Sequence, residues 1–200
     1  VIASVPVMHT PTGWAYSDVC DTAIAGVPGT APGIVIEAPI TRSVLPTGRA
    51  RDVVAVDGRD VPVSVIDAGL PVVFVGAHAL GLTTPEFTAP VAVLDADARM
   101  HAAAERVRQH VGHHFGLGVS PSAPKICLVH PRVEYATSGG DTVSAGATDL
   151  LVRAISVGNV HRSVPATTLA ALAASTAFPE SVVGDAIARG GAAHQPSPAT

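Results

Sequence analysis

The residues best placed to do chemistry lie in one short stretch, AISVGNVHRSVPATTL, near the C-terminal end of the chain. Ser156, His161, Arg162, Ser163, Thr167 and Thr168 cluster there, between a strand-like run and an Ala-rich helix pattern. The first N–H groups of a helix have no partner inside it, so a helix start flanked by hydroxyls, a His and an Arg can hold a carboxylate. His161 would then act as a donor or an acid–base group. The same residues also suit plain capping, with His161 satisfying a loop carbonyl, and spacing does not choose between the two. A second candidate is Asp67-Ala68-Gly69-Leu70-Pro71, a corner between two strands that can offer backbone amides to a ligand or simply turn the chain.

Other reactive residue types point elsewhere. His110, His113 and His114 share a helix face at metal-ligand spacing, but no Cys or carboxylate completes a set nearby. They read instead as a solvated helix end whose partial positive charge suits the C-terminal dipole. Cys127 lies in the apolar run KICLV and reads as a core thiol. Cys20 sits between Asp18 and Asp21, which weaken it as a nucleophile. No nucleophile elbow, phosphate loop, dinucleotide fingerprint or CxxC pair is present.

The elements that must position these residues can be read from patterning. Residues 1–75 form a series of short strands: 1–7, 15–25, 33–38, 52–56, 61–66 and 72–75, separated by Pro/Gly turns and Asp57-Gly58. Residues 95–111 form an amphipathic helix capped by Asp95 or Asp97. Met100, Ala103, Val107 and Val111 make its apolar stripe, Arg99, Glu105, Arg106 and Arg108 face water, and Gly112 ends it. Strands follow at 125–129, 132–137 and 149–156. The helix 165–178 is apolar on nearly every face and is expected to be buried, with Ser163 as its N-cap.

Composition bounds the rest. The chain has 200 residues, 48% hydrophobic and 14% charged, with a net charge of -4. That supplies a packed core and leaves no basic footprint for nucleic acid. Aromatics make up only 4%, so the core is aliphatic. Two distant cysteines suggest a reducing, cytoplasmic setting rather than a disulfide framework. The longest apolar run is too short and too polar to cross a bilayer, so no membrane role is expected. The chain opens on Val1 inside a strand-like run and closes on HQPSPAT, as a piece of a longer protein would.

Several segments, in order along the chain, resemble the PrpF family of isomerases, which act on methylaconitate and oxalomesaconate. They are AIAGVPGTAPGIVIEA, LPTGRARD, VSVIDAGLPVVFVGAHALGL, PKICLV and SAGATDLLVRAISVGNVH, the last leading through the Ala-rich helix to FPESVV. The resemblance implies an α+β, diaminopimelate epimerase-like fold, with a curved mixed β-sheet wrapped around a central apolar helix in each of two domains. Residues 1–48 would end the first domain, 49–190 would form most of the second, and 191–200 would be a loose tail.

The substrate, a small unsaturated di- or tricarboxylate, would lie between the domains and face the helix starts. The implied reaction is an allylic proton shift or cis–trans isomerisation without organic cofactor or metal. Ser156, His161, Thr167, Thr168, Gly69 and Leu70 would bind the substrate. The family's catalytic Lys and Cys lie upstream; Lys125, Cys127 and Cys20 do not match them, so the catalytic residues are not assigned within this chain. Leu70 stands where the family carries Asn, and Thr167-Thr168 where it carries Thr-Gly. His194-Gln195-Pro196-Ser197 stands where a degraded form of the family's His-Pro-Ser-Gly turn would fall.

A missing N-terminal half or a homo-oligomeric partner is expected to complete the molecule. An amino-acid epimerase of this fold would need a thiol at the helix start, and residues 163–168 contain none. A non-catalytic accessory remnant of the same fold is the alternative, favoured by Leu70 and Thr168.

Overall fold

The computed structural model describes residues 2–24, 27–37, 39–40 and 43–192. The expectations for Val1, Ala25, Ala38 and the His194–Ser197 turn lie outside them. The chain divides into two compact units, Val1–Thr41 and Arg42–Thr200.

The first unit is built from β1 (Ile2–Ser4), β2 (Val7–Thr10), β3 (Gly13–Tyr16) and β4 (Val35–Glu37). β2 and β3 form a hairpin across Pro11-Thr12-Gly13, and β1 pairs antiparallel with β4. None of its described residues is buried, and Trp14 is 74% exposed. The strand expected at 15–25 stops at Tyr16; only an isolated bridge, Thr22 to Ala31, follows. Asp18 and Asp21 disfavour extended pairing there.

The second unit holds β5 (Asp52–Val56), β6 (Arg59–Asp67), β7 (Pro71–Gly76), α1 (Thr84–Thr88), α2 (Val91–Asp95) and α3 (Ala98–His114). β8 (Lys125–Pro131), β9 (Tyr135–Ala136), β10 (Thr142–Val143), β11 (Leu150–Ser156), β12 (Asn159–Val160), α4 (Ala166–Ser175) and α5 (Val182–Ala192) follow. Six strands make one mixed sheet in the order β12-β11-β8-β7-β6-β5, antiparallel except for the β7–β8 pair. The fold class is therefore α+β, as expected. Asp57 and Gly58 both adopt positive φ, which is what the two-residue β5–β6 hairpin needs.

Each sheet face carries its own core. On one face Val63, Val65, Val73, Val75, Ile126 and Leu128 pack with Phe87 and with Met100, Ala104, Val107 and Val111 of α3. On the other, Ile66, Val72, Phe74, Cys127 and Ala154 pack with Ala171 of α4 and Val182, Val183 and Ala186 of α5.

Helix α3 follows its expected period with three corrections. Ala104, not Ala103, is the fully buried alanine of the stripe. Gly112 lies inside the helix rather than ending it, and its lack of a side chain makes room for Val119, whose Cγ2 would stand 2.6 Å from a Cβ there. Arg108, expected in water, is only 7% exposed. Its guanidinium donates to the carbonyls of Ser120, Ala123 and Pro124 and to the Glu105 carboxylate, so it staples the following loop to the helix. Asp97 provides the cap through Met100 N–H, while Asp95 accepts from Val160 N–H of β12.

Helix α4 departs most from expectation. Only Thr168, Ala171 and Ser175 are fully buried, and Leu169 is 53% exposed. A helix rich in alanine presents little apolar area per residue, so burying one face suffices. Its N-cap is Pro165, not Ser163. The strand expected at 132–137 contracts to Tyr135–Ala136. α5 had no expected counterpart. It is anchored by Ser64, which accepts from Val182 N–H at 2.9 Å and donates to Ala50 O at 2.5 Å.

Candidate functional site

Strand register gathers the polar residues at one end of the sheet. Ile155 pairs with Ile126, so Ser156 falls opposite Lys125, the first residue of β8. Lys125 lies beside Val72, and Val72 pairs with Ile66. Strand alternation puts Lys125 on the same face as Cys127, and Ser156 on the same face as Ala154. Both Cys127 and Ala154 belong to the α4–α5 core. Ser156, Lys125, Val72 and Ile66 thus form one row across the sheet on the α4 face.

The start of α4 meets this row. Lys125 Nζ donates to Thr167 Oγ1 at 2.8 Å. Pro165 is extended at the N-cap and offers no side-chain cap, and the first turn contains no acid. The first helical bond is Leu169 N–H to Pro165 O, so the N–H groups of Ala166, Thr167 and Thr168 lie outside the α4 ladder. The Thr168 side chain is 0% exposed, and its Oγ1 has no partner among the described residues. Most buried hydroxyls are paired, so Thr168 keeps a spare donor in the first turn of α4. A cation and loose amides meet there, with the buried Thr168 hydroxyl in the same helical turn, which favours an anion electrostatically.

The other predicted residues are placed less tightly. His161 N–H donates to Ala154 O, extending the β12 register onto the same face, and its side chain is exposed. Gly69 has φ +114 and donates its N–H to Asp67 Oδ1 at 2.9 Å, so this corner needs glycine. Leu70 is half-buried in the same turn. The turn closes the β6–β7 pair, one residue from Val72 and hence at the same sheet end as Lys125. The structure therefore bonds Thr167 to Lys125, sets Ser156, Gly69 and Leu70 at the same sheet end, buries Thr168 in the first turn of α4, and leaves His161 exposed.

Lys125 is the residue that sequence reasoning passed over, because it does not match a catalytic lysine. One signal was available: it is the only lysine in the chain. An open groove of about 720 Å³ lies between α3, the loop before β8 and the β11–β12 turn. It adjoins the site above, since both Lys125 and Ser156 line it. Arg108 lines it, but its donors are already engaged.

The remaining candidates sit apart. Cys127 is fully buried, and burial pushes its thiol up to about 12, so it is a core residue. Cys20 is exposed in the first unit, its thiol directed to Asp18 O. His110 and His114 stack at 5.9 Å, and His114 packs edge-on against Phe115. Among the described residues no group of three or more His, Cys, Asp or Glu is disposed to hold a metal, and no helix is long and apolar enough to cross a membrane.

Comparison with known proteins gives this geometry a context. The chain is 34% identical over 148 residues to the 2-methyl-aconitate isomerase of Shewanella oneidensis, covering 70% of this chain and 36% of that protein. It is 29% identical over 180 residues to the 3-methylitaconate isomerase of Eubacterium barkeri, covering 82% of this chain and 46% of that protein. It is 39% identical over 116 residues to the 4-oxalomesaconate tautomerase of Pseudomonas putida, covering 54% of this chain and 30% of that protein. A crystal structure of methylitaconate-delta-isomerase matches with a TM-score of 0.75 at 24% identity, over 92% of this chain and 54% of the other. That likeness establishes the fold. The chain spans less than half the length of these curated relatives. The model of the family described as PrpF protein matches residues 1–195. The chain belongs to the PrpF family.

Proposed function

We propose that these residues form the substrate-positioning part of a cofactor-independent isomerase acting on a small unsaturated di- or tricarboxylate, such as methylaconitate or oxalomesaconate. The observation that carries this reading is the uncapped start of α4, with the buried, unpartnered Thr168 hydroxyl facing no acceptor of its own. The names of the relatives supply the substrate class.

The chemistry follows from the substrate. A base removes a proton from the carbon next to the double bond. The electron pair spreads over the conjugated carboxylate, and a proton returns at the far end of the allylic system. No electrons are gained or lost. Fixed donors that meet the developing charge lower the barrier. The α4 amides and the Thr168 hydroxyl hold one carboxylate, Ser156 and His161 add donors, and the Gly69–Leu70 corner forms the opposite wall.

Cys127 is sealed in the core and is not available to this site. The family resemblance assigns the proton-transfer groups to residues upstream of this chain. In this reading, residues 49–190 form one epimerase-like domain preceded by crossover strands, in a reducing cytoplasm where both thiols stay free.

Solvent exchange in D2O tests the proposal. A polypeptide spanning the full length of its relatives is expected to incorporate deuterium at the allylic carbon, read by proton NMR. The 200 residues alone are expected to bind the same acids without exchange. Robust exchange by the 200 residues alone would overturn the placement of the base. Absence of exchange by the longer polypeptide would overturn the isomerase reading and favour an accessory binding role, to which Leu70 and Thr168 point.

A further inference from the structure

We infer that Lys125 is the specificity-determining residue of the α4 site: its ammonium binds a second carboxylate of the ligand and so selects polycarboxylates over monocarboxylates. This rests on the reading of the α4 start as a carboxylate site and adds to it a named cation.

The placement is specific. Lys125 is the only lysine among 200 residues, and it begins β8 at the sheet row that underlies the α4 start. Its Nζ contacts a neutral hydroxyl, Thr167 Oγ1, at 2.8 Å. No ion pair to Lys125 is found among the described residues, whereas other cations are committed: Arg108 to Glu105, Arg99 to Glu86, Arg106 to Asp57 and Arg189 to Asp185. A half-buried ammonium satisfied only by a hydroxyl has two donors left over. Exchanging that hydroxyl for a carboxylate forms a charge-assisted bond, which is the stronger kind.

Lys125 stands on the sheet, whereas the amides that hold the first carboxylate stand on the helix. The α4 amides and the Thr168 hydroxyl lie along the helix start. Lys125 reaches the Thr167 hydroxyl from the sheet, and Ser156 follows Ile155, the partner of Ile126, on the neighbouring strand. One carboxylate on the helix and another on the sheet-borne ammonium require a ligand with at least two. A monocarboxylate can satisfy only one of these anchors.

The experiment is amine footprinting of the chain with acetic anhydride, read by mass spectrometry at Lys125 with the α-amino group as internal control. The probes are tricarballylate, a saturated tricarboxylate that cannot react, and isobutyrate. Saturating tricarballylate is expected to slow acetylation of Lys125 at least fivefold, with isobutyrate and the α-amino group showing no change. By calorimetry, Lys125→Met is expected to weaken tricarballylate binding at least tenfold, while Lys125→Arg stays within threefold and both variants melt as the parent does. Labelling of Lys125 that is unaffected by tricarballylate overturns the inference, as does undiminished binding by Lys125→Met or absence of tricarballylate binding by the parent chain. Protection of Lys125 without deuterium exchange in the longer polypeptide would retain this inference and sink the isomerase reading. Exchange that survives Lys125→Met undiminished would do the reverse.

Discussion

Replacing Thr168 by Val should make the protein more stable and a poorer binder. The Thr168 hydroxyl is fully buried with no partner among the described residues, so folding strips it of water and returns nothing. An unsatisfied buried hydroxyl costs about 1–3 kcal/mol. Valine keeps the shape and leaves no cavity, and its helix propensity is close to that of threonine. A gain of about 1–2 kcal/mol is expected once small packing differences are set against that cost. For a chain of this size, such a gain raises the melting temperature by roughly 2–8 °C. Removing a donor from a charged acceptor should weaken tricarballylate binding by about 10- to 100-fold. Urea unfolding and calorimetry on the parent and variant read the two effects. Destabilisation by about 1 kcal/mol or more would show that the hydroxyl is paired in the folded chain. Higher stability with unchanged affinity would remove Thr168 from the site.

Other consequences reach the scaffold. Arg108→Met should cost about 3 kcal/mol, since three loop carbonyls lose their donor; a loss below about 1 kcal/mol would mean that the loop is held by other contacts. The Arg108 hydrogen bonds hold the Glu105 carboxyl below the usual glutamate range. The stability this provides is present above the unfolded value of about 4.3 and is lost as pH falls through the lowered folded value, so Arg108→Met should flatten the acid limb of a urea-midpoint profile. Gly112→Ala gains helix propensity but drives a Cβ to 2.6 Å from Val119 Cγ2; net destabilisation of about 1–2 kcal/mol is expected, and a more stable variant would contradict the packing. Val157 holds φ +52 in the two-residue β11–β12 turn, a strained state for a β-branched residue. Val157→Asn should stabilise by about 1 kcal/mol, and a destabilised variant would argue against that turn geometry.

Much of the fold was legible because one period dominated each segment. Strand β5 matches its expected bounds, alternating buried and exposed residues up to Asp57-Gly58. Helix α3 showed its stripe for the same reason. Arg108 did not, because its burial depends on carbonyls of residues 120–124, which no local pattern can indicate. Helix α5 was hidden by Pro179, Gly184, Gly190 and Gly191, residues that normally interrupt helices. Gly184 is tolerated because a Cβ would fall 2.3 Å from Pro179 O, so the tight α4–α5 corner demands glycine.

The site was half legible. Hydroxyls beside an Ala-rich helix suggested an anion site, and Thr167 and Thr168 do stand in the first turn of α4. Ser163 does not cap the helix because Pro165, two residues later, is the N-cap and α4 begins at Ala166. Lys125 was invisible as a partner because it stands 42 residues from Thr167 and meets it only through the β7–β8 and β8–β11 registers.

The central claim is that the ligand carboxylate sits at the start of α4. Titration of the 15N-labelled chain with tricarballylate, followed by amide chemical shifts, tests it most directly. The account predicts saturable shifts at Ala166, Thr167, Thr168 and Leu169, with smaller ones at Lys125 and Ser156. Shifts confined to the groove beside α3, at His101, Gln109 and Ser120, or no saturable shift at all, would contradict it.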